Sequence, residues 1–325
     1  MLLFIVITMA YDKEKEVAIA AVQAAATVCE KVRAEMVPEA IEKSDKSPVT
    51  VADFGAQAIV CKMIKDAFPS DPIVGEEDAD DLRTPEMAAR LTQVTNYVKV
   101  ALPDATDAQI PGWIDQGNGD VSPRYWTLDP IDGTKGFLRG DQYAVALAMV
   151  EDGDIKVGVL GCPALNLGDR SGVLFVAIRG EGAMMMNMDG SNPEKISVTS
   201  SADTENFRFV ESVAHGDQEL HARIAQAAGI TTEAIRMDSQ AKYGTVASGN
   251  AVLYLRLPSA KYPNYREKIW DHAAGVLVIE EAGGKVTDMH GKTLDFSKEP
   301  RFVDTQGVVV SNGEIHDKVL AVLAS

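Results

Sequence analysis

The chain is poor in cysteine, poor in histidine and short of positive charge, and each shortage closes off a class of function. Three cysteines in 325 residues, Cys29, Cys61 and Cys162, are too few for a disulfide framework. Cys29 and Cys61 fall in helix-like apolar patterns and read as buried thiols, with no redox pairing indicated. Five histidines, scattered along the chain, argue against a histidine zinc site. Neither a Gly-x-Ser-x-Gly elbow nor a His-Glu-x-x-His helix occurs. Lysine and arginine total 31 against 48 acids, a net charge of −17. That balance disfavours long RNA, DNA and anionic membranes as partners. A small anionic substrate stays compatible if metal ions reverse the charge locally. Internal repeats and low-complexity tracts are also absent. The apolar start, Met1 to Thr8, lacks a basic leader and is far short of the roughly 20 residues that span a bilayer. Residues 1–8 therefore read as an upstream start, a targeting remnant or an extra strand. The expectation is a soluble intracellular protein, cytoplasmic or organellar, with no membrane or nucleic-acid polymer as partner.

What is present in quantity is carboxylate, and it is concentrated in a few segments. Asp129-Pro130-Ile131-Asp132-Gly133-Thr134 packs two acids, a rigid turn, a glycine and a hydroxyl into six residues. The preceding Tyr125–Leu128 is apolar and β-prone, so it reads as a buried strand with Asp129 at its C-terminal end. Ligands of α/β folds gather outside such ends. Pro130 cannot extend the ladder, so a turn is expected there. A helical turn starting near Gly133-Thr134 would point free N–H groups at an anion. Carboxylates beside an anion site need cations between them, and Mg²⁺ prefers oxygen ligands of this kind. Taken alone, Asp-Pro followed by Asp-Gly is also a common acidic turn.

Three other places carry acids. Ile73-Val74 stops at Gly75-Glu76-Glu77-Asp78, where Glu76 or Glu77 is a candidate metal ligand; otherwise the run is a solvated loop. Asp53 reads first as the cap of a helix beginning near Ala56. Asp271, in Trp270-Asp271-His272-Ala273-Ala274-Gly275, reads as the N-cap of an apolar helix, and a cap facing the same pocket can also bind metal.

Val49–Asp53, Gly75-Glu76-Glu77, Asp129–Thr134 and Trp270–Gly275 together resemble the lithium-sensitive, magnesium-dependent phosphomonoesterases of the inositol monophosphatase superfamily. Within it the chain is most similar to the 3'(2'),5'-bisphosphate nucleotidases, through Lys43–Asp53, Gly133–Phe137, Asp238–Tyr243, Tyr254–Pro258 and Tyr265–Trp270. The similarity runs from about Met9 to the C-terminus. It implies that Glu76, Asp129, Asp132, Asp271 and the Ile131 carbonyl hold two or three Mg²⁺ ions. It implies that Asp53 pairs with the Thr134 hydroxyl to orient an attacking water. Gly133 and Thr134 would offer N–H groups to the phosphate. Ser239, Lys242 and Arg256 would contact the nucleotide and its 5'-phosphate, and His215 falls near a base-contacting histidine. Arginine suits bidentate phosphate recognition and lysine acts as a point charge. Without the resemblance, Arg256 is simply the third residue of one strand face with Val252 and Tyr254.

The expected reaction is attack of metal-activated water on the 3'-phosphate of adenosine 3',5'-bisphosphate, with its sulfated precursor as a second substrate, a reaction of sulfur metabolism. An inositol phosphatase with the same metal site and a catalytically silent nucleotide sensor are the alternatives. The implied fold is a layered α-β-α-β-α sandwich of the inositol monophosphatase and fructose-1,6-bisphosphatase type. The composition turns polar near 197–206, and the boundary is placed there: a metal-binding catalytic domain over 9–199 and an α/β nucleotide-binding domain over 200–325.

The elements expected are a helix over 13–36, a helix after Asp53, and a turn-rich stretch over 79–122 whose 115–120 segment reads as a mobile surface loop. Hairpins join 143–150 to 155–161 and 174–179 to 183–186. The C-terminal half should alternate strands at 208–213, 234–238, 251–257 and 307–311 with helices at 218–228, 241–249, 271–282 and 314–323.

Overall fold

A computed structural model of the chain describes residues 10–35, 41–42, 48–203, 205–213, 217–258 and 264–325. The first helix, α1 (Asp12–Glu35), buries Ala18, Ala21, Val22, Ala25, Val28, Cys29 and Val32 along one stripe. A short antiparallel pair, β1 (Ile41–Glu42) and β2 (Pro48–Val49), leads into α2 (Val51–Ala67). This helix starts before Asp53 rather than after it. Thr50 is the N-cap and Asp53 sits at N3, so the two side chains form a capping box. The cap expected at Asp53 is thus corrected by three positions.

Strand β3 (Ile73–Gly75) lies parallel to β4 (Arg124–Asp132). The connection between them is less irregular than its polar composition suggested. It contains α3 (Ala88–Val98) and α4 (Ile110–Ile114). In α3 only Val94, Thr95, Tyr97 and Val98 are buried, a narrow stripe under a polar majority. The 115–120 segment is not a free loop either. It begins with a 3₁₀ turn over Asp115–Gly117, and Asp115 accepts from the Ala79 N–H at 2.9 Å. Strand β4 also runs past Leu128. Asp129 pairs with Ala146 and Asp132 with Ala144, with a register shift between them. Pro130 has no N–H to give, and the shift lets the strand continue around that gap.

The chain then forms α5 (Thr134–Arg139), β5 (Ala144–Glu151), β6 (Asp154–Leu167), β7 (Arg170–Ile178), β8 (Gly182–Asn187) and β9 (Glu194–Ile196). Asp152 and Gly153 both have positive φ, 52° and 78°, as a tight turn between β5 and β6 requires. After β10 (Phe209–Glu211) come α6 (Gln218–Ala228), β11 (Ile235–Arg236), α7 (Ala241–Ala247), β12 (Leu253–Arg256), α8 (Ala273–Glu281), β13 (Lys285–Thr287), β14 (Val308–Ser311) and α9 (His316–Leu323). Strand β13 was not expected. Asp271 does not cap α8: His272 holds the cap position without a side-chain hydrogen bond.

Two sheets organise the molecule. One is seven-stranded in sequential order from β3 to β9, and the other runs β11-β10-β12-β14-β13. In the second, β10 is parallel to β11 and β12, whereas β14 is antiparallel to β12 and β13. Helices α1 and α2 cover the outer face of the large sheet, α7 and α8 lie between the sheets, and α6 and α9 cover the far side of the small sheet. This is the five-layer α-β-α-β-α order. Its middle core joins Tyr125, Phe175, Tyr243, Leu277 and Val310 from both sheets and the helices between them. The three cysteines are buried and unpaired. No described helix is long and apolar enough to cross a membrane.

Candidate active site

The acidic loop after β3 is held by a glutamine. The Gln57 amide, buried in α2, donates to the carbonyls of Glu77 and Ile114 and accepts from the Glu77 N–H at 3.0 Å. A Cβ at Gly75 or Gly117 would lie 2.8 or 2.6 Å from that side chain. Glu76 continues the β3–β4 ladder, its N–H donating to the Leu128 carbonyl at 3.2 Å. Its carboxylate thereby faces Asp129 on the neighbouring strand.

The β4 irregularity delivers the central group. Asp129 and Asp132 are both buried, and with Asp271 they bring carboxylate oxygens within 4.8 Å of one another. Gly133 then adopts φ 87° and opens α5. Only glycine takes that conformation cheaply, and here a Cβ would also press on Ser239 Cβ at 3.0 Å. The Thr134 hydroxyl lies 3.2 Å from both Asp53 Oδ1 and the Ile131 carbonyl. Asp53 Oδ2 is already engaged by Thr50, through its N–H at 2.8 Å and its hydroxyl at 2.5 Å. The capping box therefore fixes which Asp53 oxygen meets Thr134.

The opposite wall comes from the segments before α7 and α8. The Gln240 N–H donates to Asp132 Oδ2 at 2.6 Å, and its side-chain amide bridges the Trp270 carbonyl and the Gly275 N–H. One residue thus ties Asp132 to the stretch that carries Asp271. Ser239 has φ 69°, rare for a residue with a Cβ. Lys242 lies behind Ser239: it is buried, and its Nζ donates to the Ser239 carbonyl at 2.8 Å. Arg256 Nη2 meets Glu267 Oε2 at 2.7 Å and Asp271 Oδ2 at 3.4 Å. The structure thus gathers Asp53, Glu76, Asp129, Ile131, Asp132, Gly133, Thr134, Ser239, Arg256 and Asp271 around one cleft. His215 lies outside the described residues. Gln57, Gln240, Glu267 and His272 were missed as site-building residues. Gln240, Glu267 and His272 had a sequence signal, lying near Ser239 or Asp271 in the segments that carry the resemblance, and Gln57 had none.

Electrostatics favour a cation here. Burial, reinforced by Glu76, Asp132 and Asp271, holds the Asp129 carboxyl well above the usual range. Burial also raises Asp271 to about 6, against the pull of Arg256. Asp129 Oδ1 is buried without a hydrogen-bond partner. Crowded, desolvated oxygens that disfavour ionisation are the donor set a hard divalent ion needs. Glu267, Asp271 and His272 also cluster closely, but the Arg256 guanidinium already occupies the two carboxylates there. Burial lowers Lys242 to about 8.

Comparison with known proteins agrees with this geometry. The inositol monophosphatase family model matches residues 12–325. A 3'(2'),5'-bisphosphate nucleotidase of Emericella nidulans is 43% identical, the match covering 96% of this chain and 98% of that protein. One of Schizosaccharomyces pombe is 42% identical over 98% of this chain and 96% of its own length. Among solved structures, an inositol monophosphatase of Thermotoga maritima has a TM-score of 0.67 at 23% identity, covering 96% of this chain and 97% of that one. One from Anabaena has a TM-score of 0.64 at 21% identity, covering 97% of each. These solved structures share the layered fold, and that family is metal-dependent. The chain belongs to the inositol monophosphatase family.

Proposed function

We propose that the chain is a Mg²⁺-dependent phosphomonoesterase that releases the 3'-phosphate of adenosine 3',5'-bisphosphate, leaving AMP, and that it accepts the 5'-sulfated counterpart as a second substrate. The observation that carries this reading is the cluster of Asp129, Asp132 and Asp271 beside the Thr134–Asp53 pair. The choice of substrate rests on the names of relatives that match over nearly their whole length.

Two or three Mg²⁺ ions held by Glu76, Asp129, Asp132, Asp271 and the Ile131 carbonyl would supply the positive charge a dianionic ester requires and acidify the attacking water. An aspartate carboxylate free in water, which titrates near about 3.9, is a weak base. Paired with Thr134, Asp53 Oδ1 instead takes the threonine's own proton as the Thr134 oxygen receives one from the water that forms the new P–O bond. The bond to the 3'-oxygen breaks, and that oxygen leaves as a hydroxyl with a proton from solvent water. The N–H groups of Gly133 and Thr134 would hold the phosphate at the start of α5. Ser239 and Arg256 would bind the nucleoside and 5'-phosphate, with His215 at the base, and Lys242 would add its positive charge from behind Ser239. Residues 9–199 are read as the catalytic half and 200–325 as the nucleotide-binding half, Asp271 being the second half's contribution to the cation site.

Phosphate release from adenosine 3',5'-bisphosphate and from inositol 1-phosphate, each with and without Mg²⁺, tests the proposal. Mg²⁺-dependent release that is faster from the nucleotide is expected. Faster release from inositol 1-phosphate makes the chain an inositol phosphatase. Tight nucleotide binding with no release under any metal makes it a sensor.

A further inference from the structure

Arg256 reaches the cleft from the end of β12, and its side chain is 35% exposed. A long side chain at a cleft edge samples many rotamers unless something holds it. Here one of the proposed cation ligands lies within reach. Asp271 is already 3.4 Å from Nη2, and nothing about Arg256 itself prevents the guanidinium from closing onto that carboxylate.

Glu267 competes with Asp271 for the same nitrogen. Its Oε2 forms an ion pair with Nη2 at 2.7 Å, the shorter of the two contacts, while the hydrogen bond of Nη2 is directed at Asp271 Oδ2. Glu267 is itself buried and fixed from several directions. Its carbonyl accepts from the Phe302 N–H at 3.0 Å, and the next residue, Lys268, forms a β-bridge with Arg301. Oε2 lies 3.7 Å from His272 Nε2, and His272 Nδ1 is 2.7 Å from the Tyr243 hydroxyl. The Tyr243 ring packs against Gly275 so closely that a Cβ there would lie 2.4 Å away. The fully buried His272 ring also tilts against Phe302, with centroids 5.8 Å apart. A chain of contacts from the middle core thus runs through Tyr243, His272 and Glu267 to the guanidinium.

We propose that Glu267 is a positioning residue. It anchors Nη2 of Arg256 so that the exposed part of the guanidinium faces a second phosphate on the substrate, and so sets the preference for bisphosphates over monophosphates. This rests on the reading that Arg256 meets the 5'-phosphate. A guanidinium presents its donors in a planar fork, so fixing one nitrogen orients the others.

The test compares kcat and KM for adenosine 3',5'-bisphosphate with those for adenosine 3'-monophosphate, which lacks the second phosphate. For E267Q the KM for the bisphosphate should rise about tenfold or more, with kcat changed far less, and the bisphosphate preference should fall with it. E267D keeps the charge but withdraws it by one methylene, and should give an intermediate preference. It also decides the matter if E267Q does not fold. A wild-type preference in either variant overturns the proposal. R256A separates the two layers of argument. If R256A keeps the preference, the reading of Arg256 fails. If R256A loses it while E267Q or E267D retains it, only the role of Glu267 fails. The double variant R256A/E267Q should lose no more preference than R256A alone; an additive loss overturns positioning through Arg256.

Discussion

Asp129 and Asp132 stand three residues apart on one strand, an arrangement that stores repulsion until a cation arrives. Asn at either position should reduce turnover by about 10²–10³-fold or more, as removal of a preorganised charge-stabilising group does. Far-ultraviolet circular dichroism should be unchanged. D129N should also raise the melting temperature of the metal-free protein, because it removes a buried charge crowded by Glu76, Asp132 and Asp271. Near-normal activity with normal Mg²⁺ dependence in D129N would refute the metal reading. The pH dependence has a definite sign. Asp271 is raised to about 6 and Asp129 is raised too, so the folded state retains protons that the unfolded state releases. The Asp271 contribution to metal-free stability therefore falls as pH rises from the ordinary aspartate range to about 6, and that of Asp129 falls in the same direction as pH rises through its own raised value. A cation replaces those protons above that window. Saturating Mg²⁺ should raise the melting temperature more at about pH 7.5 than at about pH 5. Equal increments at the two values would count against cation binding by these acids.

At the scale of elements, the site depends on close approaches that glycines permit. Gly275 lies inside α8, where alanine would ordinarily gain about 1 kcal/mol. The Tyr243 ring, held by its bond to His272, leaves no room for the added Cβ. Overpacking of this kind costs about 1–3 kcal/mol, so the clash wins over the helix gain. Thermal unfolding of G275A should show a lowered melting temperature; an increase would mean that the ring yields. Gln57 is the counterpart on the other wall. Q57A strips partners from the Glu77 N–H and two buried carbonyls, at a cost of about 1–3 kcal/mol. Its apparent Mg²⁺ affinity should weaken as well, since Glu76 rides on the same loop; titration by calorimetry reads this directly. Much at this scale was legible beforehand. The apolar spacing of α1 and the Gly-rich turns between β5 and β6 and between β7 and β8 are local signals, and the elements follow them. Helix α3 was not, because its buried stripe of four residues is thin and its remaining faces are polar. The caps at Asp53 and Asp271 were misread by one to three positions: Thr50 was also an eligible cap, whereas His272 takes the position through the backbone alone, with no side-chain bond to signal it.

Over the whole molecule, two sheets and the helices between them bring together acids that lie 142 residues apart in sequence, Asp129 and Asp271. Family membership carries one expectation that geometry does not. Millimolar lithium should inhibit Mg²⁺-dependent phosphate release, and activity untouched by lithium would argue against the proposed mechanism. The strong net negative charge of −17 suits a small substrate met by bound cations, since the bare cleft would repel a dianion.

The amino-acid sequence by itself pointed to a chemistry: carboxylates at Glu76, Asp129, Asp132 and Asp271, a threonine placed just after Gly133, and too little histidine, cysteine or basic charge to suggest a histidine zinc site, a disulfide framework or a polyanion partner. It could do so because residue type and short spacing are written locally. Only the tertiary structure decided what holds those groups in place. The brackets of Gln57 and Gln240, the approach of Thr134 to Asp53, and the run from Tyr243 through His272 and Glu267 to Arg256 join residues whose proximity no local pattern encodes. Each arises where buried polar groups from different layers must satisfy one another once water is excluded.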